Sequence, residues 1–279
     1  MIPFDLEYYG PESADEAVNL YRELEAEGKK PLYYAGGTEI ITLCRKQVIK
    51  PGALIDLKGI AEMDILEVNG DKLLVGANIS LSALSGQRHY PLLADVARCV
   101  ADRTIRNRLT LGGNICGRLP YRETVTPFML VDADLILSGP GGKRTEPLNR
   151  LFEKRLRLNP GEILIKLSIA NSELNYPVWS RRREKHGPVD YPLFHLTALR
   201  KKDQLAIAVS GLCSFPFRST DLEKLINNMD LNPQTRAKES LAFLPGPVRS
   251  DDLASADYRQ VLWQKDLTEL LERMEGIER

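Results

Sequence analysis

Two glycine pairs are the positions in this chain best suited to chemistry. Gly36-Gly37 follows the apolar, aromatic run Pro31 to Ala35 and leads into Thr38-Glu39. Gly112-Gly113 follows Leu111 and leads into Asn114. Glycine tolerates positive φ and lets the backbone come close to a ligand, so N–H groups exposed at such turns can meet phosphate oxygens. An ordinary tight turn explains either pair alone. Two pairs, each read as a turn after a strand and each followed by a polar residue, favour a clamp around a pyrophosphate. Neither fits the G-x-G-x-x-G dinucleotide fingerprint or a lysine-bearing phosphate loop.

Other chemistries find little support. His89, His186 and His195 have neither metal-ligand spacing nor a place in a nucleophilic triad. His195, between Phe194 and Leu196, reads as a structural histidine on a strand. Cys44, Cys99, Cys116 and Cys213 are scattered and form no C-x-x-C pair, which argues against a zinc ribbon or an iron–sulfur cluster on this chain. No G-x-S-x-G occurs, and Glu39 reads as loop architecture rather than as a general base.

The elements that must position the glycines follow from periodicity and caps. Ser13 and Glu16 make a capping box for a helix whose apolar face ends at Gly28. Residues 31–35 read as a buried strand, and Ala53 to Leu57 and Lys72 to Ala77 as two more, with a turn at Asn69-Gly70-Asp71. Helices are expected over 80–84, over 91–100 with proline in the first turn, and over 127–132. A strand follows at 133–138, and the alternation of Ile163, Ile165, Leu167 and Ile169 predicts a half-buried strand over 162–170. The basic cluster at Arg181 to Arg183, with Pro188 and Pro192, reads as a hinge or loop and places a domain boundary nearby. Beyond it come paired strands over 193–200 and 204–214, a helix capped by Thr220 and Glu223, and a long helix from Tyr258 to Met274. Helices and strands that mix without strict alternation predict an α+β fold.

Lys plus Arg total 38 and Asp plus Glu total 38, so the balanced charge argues against a nucleic-acid partner. No apolar run approaches the roughly 20 residues that cross a bilayer. The start, Met-Ile-Pro-Phe-Asp, lacks a basic segment leading into an apolar one, so no membrane attachment and a cytoplasmic location are expected.

The two glycine segments also carry a resemblance. Ala35-Gly36-Gly37-Thr38-Glu39-Ile40-Ile41 resembles the A-G-G-T-D-L-L loop of FAD-binding subunits in the xanthine dehydrogenase and carbon monoxide dehydrogenase family. Thr104-Ile105-Arg106-Asn107, followed by Thr110-Leu111-Gly112-Gly113-Asn114-Ile115, is similar to that family's I-R-N-x-x-T-I-G-G-N signature. Pro3-Phe4-Asp5, Leu130 to Ala133 and Gly211 to Arg218 extend the likeness along the chain. The resemblance implies a two-part FAD-binding domain of the vanillyl-alcohol-oxidase type over residues 1–170, split near 55, and a smaller C-terminal α+β domain over 171–279. Carried over by position, Ala35, Gly36, Gly37, Thr38 and Glu39 would hold the FAD pyrophosphate, with Thr110, Gly112, Gly113 and Asn114 facing them. Glu123 stands where relatives place an Asp that bonds the ribose or ribityl region. A basic residue near Arg181 to Arg183 corresponds to one beside the flavin in relatives.

This chain departs from the family in one segment. Where relatives often read A-x-P-x-x-D, it has Gly117-Arg118-Leu119-Pro120-Tyr121-Arg122-Glu123. The resemblance further implies a molybdopterin-binding large subunit and a small subunit with two [2Fe–2S] clusters as partners, and NAD or another final acceptor. The missing acid–base constellation fits electron transfer, because the flavin carries the chemistry. Tyr121, Arg122 and Arg181 to Arg183 are the expected docking residues. Two rivals are a self-contained flavin oxidoreductase and an assembly subunit that has lost FAD.

Overall fold

The computed structural model describes residues 2–185 and 191–276; His186 and Pro188 of the expected loop lie outside them. Strand β1 (Glu7–Tyr9) precedes helix α1 (Ala14–Ala26), whose cap Ser13 accepts the Glu16 N–H at 3.2 Å. Ala14, Ala17, Val18 and Leu24 are the buried face of α1. Then come β2 (Leu32–Tyr34), α2 (Thr38–Arg45) and β3 (Ala53–Asp56). These strands form a parallel sheet in the order β1-β3-β2. β2 is half-buried rather than buried, because it is an edge strand; Tyr33 meets Tyr21 and the Gly161 carbonyl, and Tyr34 lies against Gly37 of the loop that follows.

The second sheet contains β4 (Leu66–Asn69), β5 (Lys72–Gly76), β6 (Asp134–Gly139), β7 (Gly142–Pro147) and β8 (Ile163–Ala170), antiparallel in the order β4-β5-β8-β6-β7. The Asn69-Gly70-Asp71 turn therefore joins β4 to β5, not the strand at 53–56 to β5. Central β8 is buried except at Lys166 and Ala170, so the expected half-buried strand is covered on both faces. Between β5 and β6 the chain makes helices α3 (Leu81–Gly86), α4 (Pro91–Cys99), α5 (Arg103–Arg106), α6 (Leu111–Cys116) and α7 (Val125–Leu130). Helix α8 (Leu148–Leu151) follows β7.

The Arg181 to Arg183 cluster is not a hinge. It lies on strand β9 (Val178–Arg183), which pairs with β10 (Phe194–Lys201); β10 pairs with β11 (Gln204–Ser210), and β11 with β12 (Phe217–Arg218). Three consecutive arginines mask a strand because their partners are remote in sequence. Arg181 and Arg183 pair with Glu269 and Asp266 on one face, and Arg182 with Glu123 on the other. Helix α9 (Thr220–Ile226) is capped by Ser219 rather than Thr220, and α10 (Pro233–Glu239) and α11 (Ala256–Glu275) complete the chain. A second apolar core joins this sheet to α9 and α11 around Trp263, Leu222 and Phe194. On its other face β9 lies against α4, and β10 and β11 against α7, so that face covers the segment after the second glycine pair.

Candidate cofactor-binding site

The first glycine pair is a turn built for its place. Gly37 has φ of 70° and caps α2, a conformation that a Cβ would strain. The first-turn N–H groups of Thr38, Glu39 and Ile40 have no acceptor within the helix, which leaves them available to an anion at its positive end. Behind the turn, Lys58 Nζ donates to the Ala35 carbonyl at 3.3 Å, sits 4.4 Å from the Tyr34 ring centroid and pairs with Asp56 at 2.7 Å. The Tyr8 hydroxyl donates to the same Asp56. Burial pushes the Asp56 carboxyl up, but the hydrogen bonds from Lys58 and Tyr8 outweigh it and hold it below the usual carboxylate range. Tyr8, Tyr34, Asp56 and Lys58 thus set the loop, though no motif marks them.

The second pair differs from its expected form. Gly112 and Gly113 are not a turn after a strand; they lie in the first turn of α6. Their amides are already engaged, Gly112 N–H with the Ala77 carbonyl at 2.7 Å and Gly113 N–H with Thr110 Oγ1 at 3.2 Å. Thr110 is therefore the cap of α6. Asn114 Oδ1 accepts from the Thr124 hydroxyl at 2.6 Å and so ties α6 to the start of α7. A Cβ on Gly112 would lie 2.8 Å from that of Ala77, whereas one on exposed Gly113 would meet only Thr110 Oγ1, at 2.9 Å. Gly113 is the place where this helix can approach a ligand.

The structure brings the two segments together. A Cβ on Gly36 would come within 1.9 Å of the Arg108 carbonyl oxygen, so glycine there allows the first turn to lie against the chain leading into α6. The Glu39 carboxylate accepts the Arg118 N–H, with both oxygens at 3.1 Å. The chain around Ala35 to Glu39 and the chain around Thr110 to Asn114 are thus neighbours.

The segment after α6 leads inward. Tyr121 and Arg122 are only 9% and 5% exposed, which removes them from any docking surface. Tyr121 is stacked with Tyr191 at a centroid distance of 4.6 Å, and its hydroxyl accepts from Arg249 Nη2 at 3.2 Å. Glu123 is also buried. Its Oε1 accepts from Arg182 Nε at 3.1 Å and lies 3.0 Å from His195 Nδ1. His195, fully buried, has its other nitrogen 2.8 Å from Ser180 Oγ. This is the satisfied structural histidine expected on a strand, and it joins the third sheet to the α6–α7 segment.

An FAD fits these residues on two grounds. The first-turn amides of α2 have no acceptor within their helix, and the neighbouring α6 presents an exposed glycine, Gly113. Comparison with known proteins agrees. Residues 4–171 match the family described as the FAD binding domain in molybdopterin dehydrogenase. The chain belongs to that family. It is 31% identical over 175 residues to the carbon monoxide dehydrogenase medium chain of Hydrogenophaga pseudoflava, covering 61% of this chain and 60% of the relative. It is 25% identical over 278 residues to the xanthine dehydrogenase FAD-binding subunit of Escherichia coli O157:H7, covering 92% and 91%. A solved structure of carbon monoxide dehydrogenase from Hydrogenophaga pseudoflava contains a chain of the same fold, with a TM-score of 0.85, 23% identity and 96% of each chain covered. The fold is thus α+β, as expected. Among the described residues, no helix is long and apolar enough to cross a membrane.

Proposed function

We propose that this chain is the FAD-binding electron-transfer subunit of a cytoplasmic molybdenum-containing dehydrogenase or hydroxylase. In this reading, electrons come from [2Fe–2S] clusters on a small partner subunit and leave for NAD or another acceptor. The substrate is oxidised at a molybdopterin centre on a large partner. Bound FAD supplies the redox chemistry; this chain holds, orients and shields it. The observation that carries the reading is the Glu39–Arg118 bond, which holds together two glycine segments far apart in sequence.

Ala35, Gly36, Gly37, Thr38 and Glu39 hold the pyrophosphate at the start of α2, and Thr110, Gly112, Gly113 and Asn114 shape the facing wall. Glu123 serves the site from behind, through the bonds that set Arg182 and His195. Residues 1–170 form the flavin-binding domain, split near 55 where the chain leaves the parallel sheet, and 171–279 form the domain that closes the cleft. The family match ending at 171 supports this division.

Co-expression with the large and small partners, followed by size-exclusion chromatography and anaerobic addition of substrate, tests the proposal. A three-chain complex whose flavin bleaches with substrate is expected. Elution of this chain alone, or substrate oxidation by this chain alone, contradicts it.

A further inference from the structure

Asn78 is a buried polar residue, 9% exposed, between β5 and α3, at a place that no motif marks. Its side-chain Nδ2 donates to the Leu57 carbonyl at 2.6 Å. Its Oδ1 is buried without a hydrogen-bond partner among the described residues. A half-satisfied buried amide adds little to stability, because the unpaired acceptor offsets what the bond contributes. What the donor does is join two parts of the chain that are otherwise tied only nearer the surface.

On one side of this bond stands the support of the second glycine segment. The Ala77 carbonyl accepts the Gly112 N–H at 2.7 Å, and the Ile79 carbonyl accepts the Leu111 N–H at 3.0 Å. Ser80 is bridged to Thr110, and Leu81 N–H donates to the Leu109 carbonyl at 2.8 Å. Residues 77–81 thus hold residues 109–112 by backbone bonds, with Asn78 inside that stretch. On the other side stands the support of the first glycine segment. Leu57 follows the last residue of β3, Asp56, which lies opposite Tyr34 in the parallel pairing of β2 with β3. The next residue, Lys58, donates to the Ala35 carbonyl at 3.3 Å. Leu57 therefore sits between the two residues that fix the chain entering Gly36. The Glu39–Arg118 bond joins the same two segments at an exposed position, and the Asn78–Leu57 bond joins their supports in the interior.

We propose that Asn78 is a positioning residue for the cofactor, whose amide sets the spacing of the two glycine segments from within and so governs how firmly they grip a pyrophosphate. The inference rests on the reading that these two segments bind FAD. Asn78 itself touches no part of the cofactor. Without its bond the second segment is free to shift relative to the first, and binding must then restore an order that wild type already has. A ligand with a pyrophosphate spans both segments and feels the change, whereas a flavin without phosphate does not.

The test compares wild type with Asn78→Leu, titrating FAD, ADP and riboflavin by calorimetry and recording the melting temperature of the flavin-free protein. Leucine is close to asparagine in shape, and it removes the unpaired Oδ1 along with the donor. The Leu57 carbonyl keeps the Ile60 N–H at 3.1 Å, so the change strands no acceptor. The flavin-free melting temperature should therefore move by less than about 3 °C. Kd for FAD and for ADP should rise together by about 3-fold to 10-fold, the span of one lost hydrogen bond between neutral groups. Riboflavin should bind as it does to wild type. A residue that only supports the fold would instead lower the melting temperature and leave the ligands in their wild-type ratio. Asn78→Ser, whose hydroxyl is too short to replace the bond, covers the case in which the leucine variant does not fold, with the same split among ligands expected. Unchanged FAD affinity in a folded variant overturns the inference, as does an equal loss for FAD and riboflavin. If wild type itself fails to bind FAD, the reading of the two segments as an FAD site is what has failed.

Discussion

Glu39 and Arg118, 79 residues apart, are joined by a carboxylate that accepts one backbone N–H through both oxygens at 3.1 Å. The bond locks the start of α2 to the end of α6 and so sets the spacing of the two glycine segments. Glu39→Ala removes the lock without touching a core residue. We expect FAD affinity to fall by about tenfold, near 1.4 kcal/mol, with an unchanged circular-dichroism spectrum. Equal Kd values for variant and wild type would show that the cleft is held by other contacts.

Gly113 is the exposed glycine of α6, where an added Cβ would meet only Thr110 Oγ1. Gly113→Val should give a folded protein that no longer co-purifies with FAD, because a branched side chain fills that space. Glycine is itself a poor helix former, so the helix loses little by the change. An absorbance spectrum of the purified variant decides the point; a normal flavin content removes Gly113 from the site.

Acid should loosen the first loop through Asp56. Its carboxyl is held below the usual range by Lys58 and Tyr8 despite burial, so its contribution is present above the unfolded value of about 3.9 and is lost as pH falls through the lower, folded value. Lys58 loses its anchor when Asp56 protonates, and the Ala35 carbonyl loses Lys58. FAD release, followed by flavin fluorescence, should begin below about pH 4 in wild type. It should begin at higher pH in Lys58→Met, where Asp56 lacks its chief partner. Coincident release curves would sever Asp56 from the loop.

Glu123 links two parts of the chain through Arg182 and His195. Breaking a buried charge pair costs about 3 kcal/mol, which in a protein of this size lowers the melting temperature by roughly 6–12 °C. Glu123→Ala should show that loss even without flavin. An unchanged melting temperature would confine Glu123 to the cofactor.

These residues also show what could and could not be read in advance. The caps at Ser13, the apolar face of α1 and the β10–β11 pair depend on neighbours within a few residues, and they stand where periodicity places them. Strand β9 was hidden because Arg181, Arg182 and Arg183 look solvated until Glu269, Glu123 and Asp266 are brought to them by the fold. Tyr121 and Arg122, read as surface, are buried against residues remote in sequence, Tyr191 and Arg249 for the one and Phe152 and Lys154 for the other, which no local pattern announces. The glycine pairs themselves were legible. Their geometry was not, since Gly112-Gly113 opens a helix whose amides are already used. Lys58 and Asp56 carry no motif at all, and only the parallel pairing of β2 with β3 brings them behind Ala35.

On the proposed function, the two glycine segments form one site for a dinucleotide flavin. Calorimetric titration of the flavin-free protein with FAD and, separately, with FMN tests it most directly. One FAD per chain is expected, with FMN binding weaker by at least about 100-fold, since FMN lacks the second phosphate and the adenosine beyond it. Equal affinity for the two flavins, or no binding of FAD, would contradict it.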